Sequence, residues 1–485
     1  MGARAGAVPG RQADQEVAAR RPARAARLGS RRQSGAHRRR RHRRDQDRRG
    51  DRHPPACRGR RTTEGAARPF GQMKPQPGPV LTLGERDRRY AGLRALMDKQ
   101  GFDAIVVGSF QGRERLEGYL IDDFLDSVVV LPAKSDPVLL AFGGSRISRI
   151  FESVRRGFDA WVPDVRLGAG GARVAEVLKE RGLEHGRIGL VGLGPTAPGE
   201  AEGLLPLGFH SNLVKALPDA AIGDFTLAFT DFMLVKSAEE NALLRFAARV
   251  SEEACRVMME VARPGVSEAE VYAETVHEIH RWGCDLRYPF FSLQSGRDNI
   301  GWGVPRWSVR AEPPRILETG DLVQAEIHTV YGGLEGQVNM SVALDPVDDV
   351  VRRLEEVARE SYEAGLAAVK PGVTFASVVQ AMEKPLARAG CWSKTPLLHT
   401  LTFGSTGFTA VNREQLKGTR EETIDGNVKP GIRRGDLVLR EGMGLELEPN
   451  ACLGMVRVNI GAGVIVTERG AEELNSLATR VQHVR

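Results

Sequence analysis

Two pairs of polar residues have the spacing of side chains that act together. Glu326 and His328 are two positions apart in one predicted strand, and Glu446 and Glu448 repeat this spacing in a later one. Because alternate side chains of a strand leave the same face, the members of each pair share a face. A histidine near paired carboxylates can shuttle a proton at neutral pH. The pattern therefore predicts acid–base chemistry.

Alternating helices and strands precede these residues. A basic amphipathic helix is predicted over about Asp87–Gln100. Apolar runs predict strands at Ala104–Gly108, Ser127–Pro132, Pro137–Phe142 and Arg187–Gly192. This alternation predicts an α/β fold for a first unit that extends to about residue 229.

The second unit opens with a strong helix signal. Ser237 lies three residues before Glu240, and Ser267 lies three residues before Glu270, so each pair predicts a capping box at a helix start. Apolar residues at helical spacing follow Ser237, and Pro264-Gly265 ends that helix.

An internal repeat accompanies these helices. The sequence RPGVSEAEV at Arg263–Val271 is echoed by KPGVTFASV at Lys370–Val378, and GDLV at Gly320–Val323 is echoed at Gly435–Val438. The two offsets, 107 and 115 residues, are nearly equal. A duplicated unit of two helices plus strands is therefore predicted, with a ligand cleft between its halves.

The basic charge of the chain is confined to its first part. Residues 1–72 contain 21 arginines, no lysine and 6 acidic residues, whereas the remainder contains 48 basic and 56 acidic residues. Three interpretations of this segment are open. It is untranslated, with the true start near Met73; it is a disordered arm that binds nucleic acid; or it is a targeting peptide. No nucleic-acid partner is expected unless this segment is translated.

Composition excludes several further classes. The five cysteines contain no C-x-x-C pair, which excludes a zinc ribbon and a disulfide scaffold and favours a reducing, cytoplasmic compartment. No stretch approaches the ~18 consecutive apolar residues of a membrane span, so no membrane partner is expected.

Five motifs, taken in order and spacing, resemble one superfamily, which includes creatinase, aminopeptidase P, prolidase and methionine aminopeptidase. They are VKSAEE, RPGVSEAEV, GDLVQAEIHTVYGG, EGMGLELEPN and VIVTERGAEELN. The resemblance implies an α/β protein with a creatinase-type N-terminal domain and a duplicated, pita-bread C-terminal domain. It implies three segments: a tail at 1–83, the first domain at 84–229 and the pita-bread domain at 230–485.

Enzymes of this superfamily normally hold two divalent metals with two aspartates, a histidine and two glutamates, ligands that suit such ions. The matching positions here are Glu326, Gln337, Phe403, Glu448 and Asn459. Only two carboxylates remain, and phenylalanine cannot coordinate a metal. The resemblance therefore predicts no metal cofactor, with a divalent metal as the alternative.

The polar replacements are expected to line one pocket. His399 matches a histidine that contacts substrate in the family. Creatinase breaks a C–N bond without metal, but its base lies where this chain has Trp302–Gly303. The predicted catalytic residues are Glu326, His328, His399, Glu446 and Glu448, and the predicted substrate-binding residues are Trp302, Tyr331, Gln337, Arg457 and Asn459. The Glu326 carboxylate would raise the pKa of His328 and burial would lower it, and the sequence leaves this open.

Three functions remain. The first is a metal-independent hydrolase or lyase acting on a small C–N or amide-like compound. The second is a non-catalytic binding protein on the same fold, in which His328 only fills the vacated metal site. The third is a metal-dependent Xaa-Pro aminopeptidase or dipeptidase. The resemblance also implies a homodimer that takes a small-molecule substrate.

Overall fold

The computed structural model describes residues 78–108, 116–124, 126–195, 203–298, 300–393, 396–401, 406–408 and 431–485. The chain divides into two units, Met1–Gln72 and Met73–Arg485, and all described residues belong to the second. Within these ranges no helix combines the length and the apolar character needed to cross a membrane.

A six-stranded mixed sheet forms the first part of this unit. Its strands are β1 Ala104–Gly108, β2 Ser127–Pro132, β3 Val138–Ala141, β4 Asp164–Leu167, β5 Arg187–Val191 and β6 Ala221–Asp224, in the order β4-β3-β2-β1-β5-β6. Its helices are α1 Leu83–Gln100, α2 Gly118–Ile121, α3 Gly144–Arg155, α4 Gly171–Glu180, α5 Leu207–Ala216 and α6 Thr226–Leu234.

Strand prediction succeeded where the strands are buried. The strands β1, β2, β3 and β5 match the predicted apolar runs to within one residue at each end. The edge strands β4 and β6, with sequences DVRL and AIGD, escape the apolar-run criterion because none of their residues is buried. The helix α1 begins four residues earlier than predicted and ends at the predicted residue.

The folded unit begins before residue 84. Leu81 packs in a small core with Trp161 and Leu243, and the backbone N–H and hydroxyl of Thr82 both donate to Glu239, at 2.8 and 2.9 Å. The end of the predicted tail is therefore part of the fold. The predicted limit at residue 229 falls within α6, and that domain boundary stays a prediction.

A ten-stranded sheet dominates the second part. Its strands are β7 Asp285–Gly296, β8 Leu322–Tyr331, β9 Leu334–Leu344, β10 Leu398–Thr400, β11 Thr406–Phe408, β12 Gly431–Arg433, β13 Gly444–Leu447, β16 Gly461–Thr467, β17 Gly470–Glu473 and β18 Gln482–Val484. The order is β12-β11-β10-β13-β16-β9-β8-β7, with β17 on β16 and β18 on β9. A separate ribbon pairs β14 Asn450–Leu453 with β15 Val456–Asn459.

Two helix pairs pack on these strands. They are α7 Ala238–Val261 with α8 Glu268–Arg281, and α10 Asp349–Ala368 with α11 Phe375–Arg388; the short α9 spans Arg306–Val309. Both predicted capping boxes are confirmed. The helix α7 touches β9 at Gly336, where an added Cβ would lie 2.2 Å from the Ala248 nitrogen, so only glycine permits this approach.

The two halves repeat the same backbone hydrogen bonds. Gly265 donates to the Leu317 carbonyl at 2.8 Å, and Gly372 donates to the Leu439 carbonyl at 2.9 Å. The RPGV and KPGV turns are thus equivalent, as the repeat predicts. The second predicted match is out of register, because Leu317 corresponds to Leu439, 122 positions later. The counterpart of Gly320 is then Gly442, and both have left-handed backbones with φ of 89° and 85°.

Candidate active site

The duplication places the polar positions in two related pairs. The offset that relates the two halves also separates Glu326 from Glu448 and Gln337 from Asn459. Glu326 and Gln337 lie on the neighbouring strands β8 and β9, whereas Glu448 and Asn459 follow β13 and end β15. All four side chains are at most 3% exposed. The site therefore straddles the axis between the halves.

Amide side chains connect the two carboxylates. The Asn339 amide donates to Glu448 Oε2 at 2.7 Å and to Asn459 Oδ1 at 3.3 Å. The Asn459 amide in turn donates to Glu326 Oε1 at 3.4 Å. Gln337 donates to Asn339 Oδ1 at 3.1 Å and to Glu448 Oε2 at 3.3 Å. Amide N–H groups thus face both carboxylates.

His328 lies between two acids. Its Nδ1 is 2.8 Å from Glu335 Oε1, and its Nε2 is 3.9 Å from Glu326 Oε2. Burial lowers the pKa of His328, but hydrogen bonding and attraction from these two carboxylates outweigh burial and raise it. The question that the sequence leaves open is answered in favour of the imidazolium.

Glu326 is held in its ionised form. Burial raises its pKa, but the charge and hydrogen bond of His328, the charge of Arg457 and a hydrogen bond from Trp302 bring it below the usual value. The Trp302 indole Nε1 donates to Glu326 Oε2 at 2.5 Å.

Glu448 and Glu446 have the opposite tendency. Burial and repulsion from Glu326 raise the pKa of Glu448 well above its usual range, against the Asn339 and Gln337 hydrogen bonds. Burial also raises the pKa of Glu446, with repulsion from Glu448 as the next cause. Neither carboxyl oxygen of Glu446 has a hydrogen-bond partner among the described residues. The site therefore combines one ionised acid with two that favour the protonated form.

The structure places some of the remaining predicted residues at the site and others away from it. His399, opposite Glu446 in the sheet register, places Nε2 3.4 Å from Glu448 Oε1. Arg457 is 1% exposed and donates to Asn450 Oδ1 at 3.2 Å. Tyr331 lies at the far end of β8 and packs its ring on Phe246 at 4.5 Å, outside the amide network. Phe403 lies outside the described residues.

Two site residues were missed by sequence reasoning. Glu335 and Asn339 lie two positions on either side of Gln337 on β9, so all three side chains share one face. The alternation of polar and apolar residues over this strand was the available signal. Asn339 also pairs in register with Glu326.

A cavity of ≈ 590 Å³ borders this network. Its walls include Trp302 and Trp307, the acids Glu268 and Asp298, and Arg315. Trp302 is 45% exposed, so one indole lines the cavity and donates to the buried Glu326. The cavity therefore meets the network at Trp302.

The side chains at the five metal-ligand positions of the family differ from those of a two-metal site. Two of the five positions carry amides that turn N–H groups toward Glu326 and Glu448, and N–H groups repel a cation. In the described part of the chain, no group of three or more His, Cys, Asp or Glu side chains is placed to hold a metal ion. The described residues do not fit a dimetal centre, and the absence of a metal in solution stays a prediction.

Comparison with known proteins identifies the family. The model of metallopeptidase family M24 matches residues 242–468. Creatinase from a Bacillus species is 24% identical over 431 residues, which cover 84% of this chain and 94% of that protein. Xaa-Pro dipeptidase from Pyrococcus furiosus is 25% identical over 250 residues, which cover 50% of this chain and 64% of the dipeptidase.

Solved structures show the same fold. X-Pro aminopeptidase from Thermotoga maritima has a TM-score of 0.62 at 18% identity, covering 81% of this chain and 99% of that chain. Xaa-Pro dipeptidase from Bacillus anthracis has a TM-score of 0.61 at 18% identity, covering 82% and 100%. Residues 242–468 therefore belong to metallopeptidase family M24, and the chain has a pita-bread fold with an N-terminal α/β domain, as the resemblance to the creatinase, aminopeptidase P, prolidase and methionine aminopeptidase superfamily implies.

Proposed function

We propose that this protein is a metal-independent hydrolase or lyase that breaks a C–N or amide-like bond in a small molecule. The observation that carries the proposal is the hydrogen bonding of Asn339 and Asn459 to Glu448 and Glu326. In a dimetal site the metal ions are the positive partners of the carboxylates. Here the amide N–H groups take that place. The site is thereby stable without the metals.

The pKa values of the two symmetry-related carboxyls are driven apart. The pKa of Glu326 is lowered and that of Glu448 is raised. Such a pair provides a base and an acid in one site at neutral pH. In hydrolysis, Glu326 accepts a proton from water as the water oxygen bonds to the substrate carbon. Glu448 gives its proton to the departing nitrogen as the C–N bond breaks.

The two histidines complete the proton path. The His328 imidazolium, next to Glu326, stabilises the negative charge that develops on the attacked substrate. His399 contacts Glu448 and is one-fifth exposed, so it can return a proton to Glu448 from solvent after each turnover. The similarity to creatinase over 94% of that protein supports a small substrate, and the 590 Å³ cavity has room for one.

Metal analysis and turnover together test the proposal. Protein purified without chelator is expected to contain well below one Mn, Co, Zn or Fe ion per chain. Dialysis against EDTA should leave both the fold and the release of amine or ammonia from a panel of small amides, ureas and guanidines unchanged. Two tightly bound ions per chain, or activity restored only by metal, would establish the Xaa-Pro peptidase alternative.

A gain-of-metal variant gives the matched comparison. Gln337→Asp with Asn459→Glu restores carboxylates at two ligand positions, so it should bind Mn²⁺ more tightly than the wild type in calorimetry. If the wild type already binds Mn²⁺ as tightly as this variant, the proposal is wrong. Wild-type protein that turns over no member of the panel, with or without metal, would favour the non-catalytic reading.

We further propose a homodimer located in the cytoplasm. The helix α3 has no buried residue, yet it carries Phe151, 62% exposed, and Phe158 follows it at 61%. An apolar face of this kind suits a subunit contact. Light scattering at micromolar concentration should give twice the chain mass, and Phe151→Glu should shift it toward the monomer while Arg155→Glu should not. The cysteines in the described ranges are free, in agreement with a reducing compartment.

A further inference from the structure

A second cavity lies at the start of α7 and shares no lining residue with the candidate active site. Its volume is ≈ 430 Å³, room for about fourteen water molecules. The first turns of α7, the Glu441–Gly442 turn and the end of β16 line it. This inference does not depend on the proposed function.

Lys236 contributes a buried cation to this cavity. The residue is 5% exposed, and its Nζ has no hydrogen-bond partner among the described residues. Burial lowers the pKa of Lys236 to about 8, with Glu240 acting in the opposite direction. The ammonium is therefore mostly charged at neutral pH, and a buried charge without a partner is costly.

The acid whose charge acts on Lys236, Glu240, already has other partners. Glu240 Oε1 accepts from Arg89 at 3.0 Å, and Oε2 accepts from Arg88 at 2.8 Å and from the Ser237 nitrogen at 2.9 Å. Glu85 binds the same two guanidinium groups, at 2.7 Å each. The cluster thus has three cations, including Lys236, against two carboxylates.

The other lining groups also favour a negatively charged ligand. The N-terminus of the 24-residue helix α7 opens onto the cavity at Ala238 and carries partial positive charge. Arg245 lies one turn further along, in a bidentate pair with Glu472 at 2.7 Å. Among the described residues of the cavity wall, Glu441 is the one acid, and it is exposed.

Asn241 requires that the ligand also donate a hydrogen bond. The residue is 7% exposed and lines the cavity, and its Oδ1 has no hydrogen-bond partner among the described residues. A ligand that satisfies both side chains must accept from Lys236 and donate to this oxygen. A phosphate group does so, because it carries P–O⁻ acceptors together with a P–OH or a neighbouring hydroxyl.

We propose that this cavity binds a phosphate group, with Lys236 as its charged ligand and Asn241 as its polar one. The group is either free phosphate or the head of a small phosphomonoester, for which the cavity also has room. The site lies at the start of the helix that supports β9, apart from the catalytic network.

Calorimetric titration of the full chain with inorganic phosphate, at pH 7 and constant ionic strength, tests the proposal. Saturable binding of one phosphate per chain is expected. Lys236→Met retains the aliphatic stem and removes the charge-assisted hydrogen bond, so it should weaken binding about tenfold or more. The exposed Lys215→Met on α5 is the matched control and should bind as the wild type does.

A second variant and a second ligand complete the experiment. They show whether a loss of binding comes from misfolding and whether the bound phosphate group is a free ion or part of an ester. Asn241→Asp keeps the size and adds a negative charge that repels the anion, so it should abolish phosphate binding, and circular dichroism checks that this variant is folded. Glycerol 3-phosphate that binds more tightly than phosphate identifies an ester, and the reverse order identifies the free ion. A wild type without saturable phosphate binding, or binding that survives Lys236→Met unchanged, would overturn the assignment.

Discussion

The protonation of Glu446 offers the sharpest test of the electrostatics of the site. Its carboxyl is completely buried, and neither oxygen is hydrogen-bonded to a described residue. Burial raises its pKa well above the ordinary 4.5, and repulsion from Glu448, Glu335 and Glu326 adds to the shift. The folded protein therefore keeps a proton on Glu446 at a pH at which the unfolded chain has released it.

This difference makes the folded state lose stability as the pH rises. Above the unfolded pKa and below the raised folded pKa, the native state binds one more proton, so the free energy of unfolding falls by about 1.4 kcal/mol per pH unit. The contribution of Glu446 is fully present below the unfolded value and is lost as the pH approaches the folded one. Glu446→Gln keeps the size of the side chain but cannot titrate. Relative to the wild type, it should therefore gain stability as the pH rises above the ordinary pKa, by up to about 1.4 kcal/mol per pH unit.

Urea unfolding followed by circular dichroism at pH 5.0, 5.5 and 6.0 measures the gain. The control is Glu356→Gln, the same substitution at an exposed acid on α10. Equal pH dependence in wild type and Glu446→Gln would show that the buried carboxyl is ionised in the native state, and the reasoning would be wrong.

Three other variants address the chemistry directly. His328→Ala should reduce turnover by ~10²–10⁴-fold with little change in fold, whereas a histidine that only fills space predicts full turnover and a loss of ~1–3 kcal/mol in unfolding free energy. Trp302→Phe removes the hydrogen bond to ionised Glu326 and raises its pKa, so the acidic limb of the kcat/KM profile should move to higher pH; Trp307→Phe should not move it. Glu448→Gln removes the proposed acid, so initial rates should fall about as much as in His328→Ala while the melting temperature is maintained.

The fold was largely readable from the sequence because its signals are local. Buried strands such as β1 and β2 are continuous apolar runs, and the capping boxes at Ser237 and Ser267 fix helix starts within four residues of sequence. The repeated turns are equally local. The register between the two halves is not a local signal. For this reason the GDLV match gave the wrong offset, and the backbone hydrogen bonds of Leu317 and Leu439 give the right one.

The candidate site was predictable in its members but not in its protonation. The family positions and strand alternation led to Glu326, His328 and Glu448. The direction of each pKa depends on how burial compares with nearby charge, and these depend on distances that no sequence pattern contains. Glu326 and Glu335 together raise the pKa of His328. The approach of Glu335 across the hairpin to 2.8 Å depends on the tertiary structure.

The backbone contact between α7 and Gly336 fixes the position of the strand that carries Gln337. Gly336 directly precedes Gln337, and Ser251 of α7 donates to the Gly336 carbonyl at 2.8 Å. A methyl group at this position would push β9 away from the helix, at an overpacking cost of about 1–3 kcal/mol. Gln337 would move with the strand and pull the amide network out of alignment. Gly336, which has no side chain, thus determines how precisely Gln337 and the amide network are positioned.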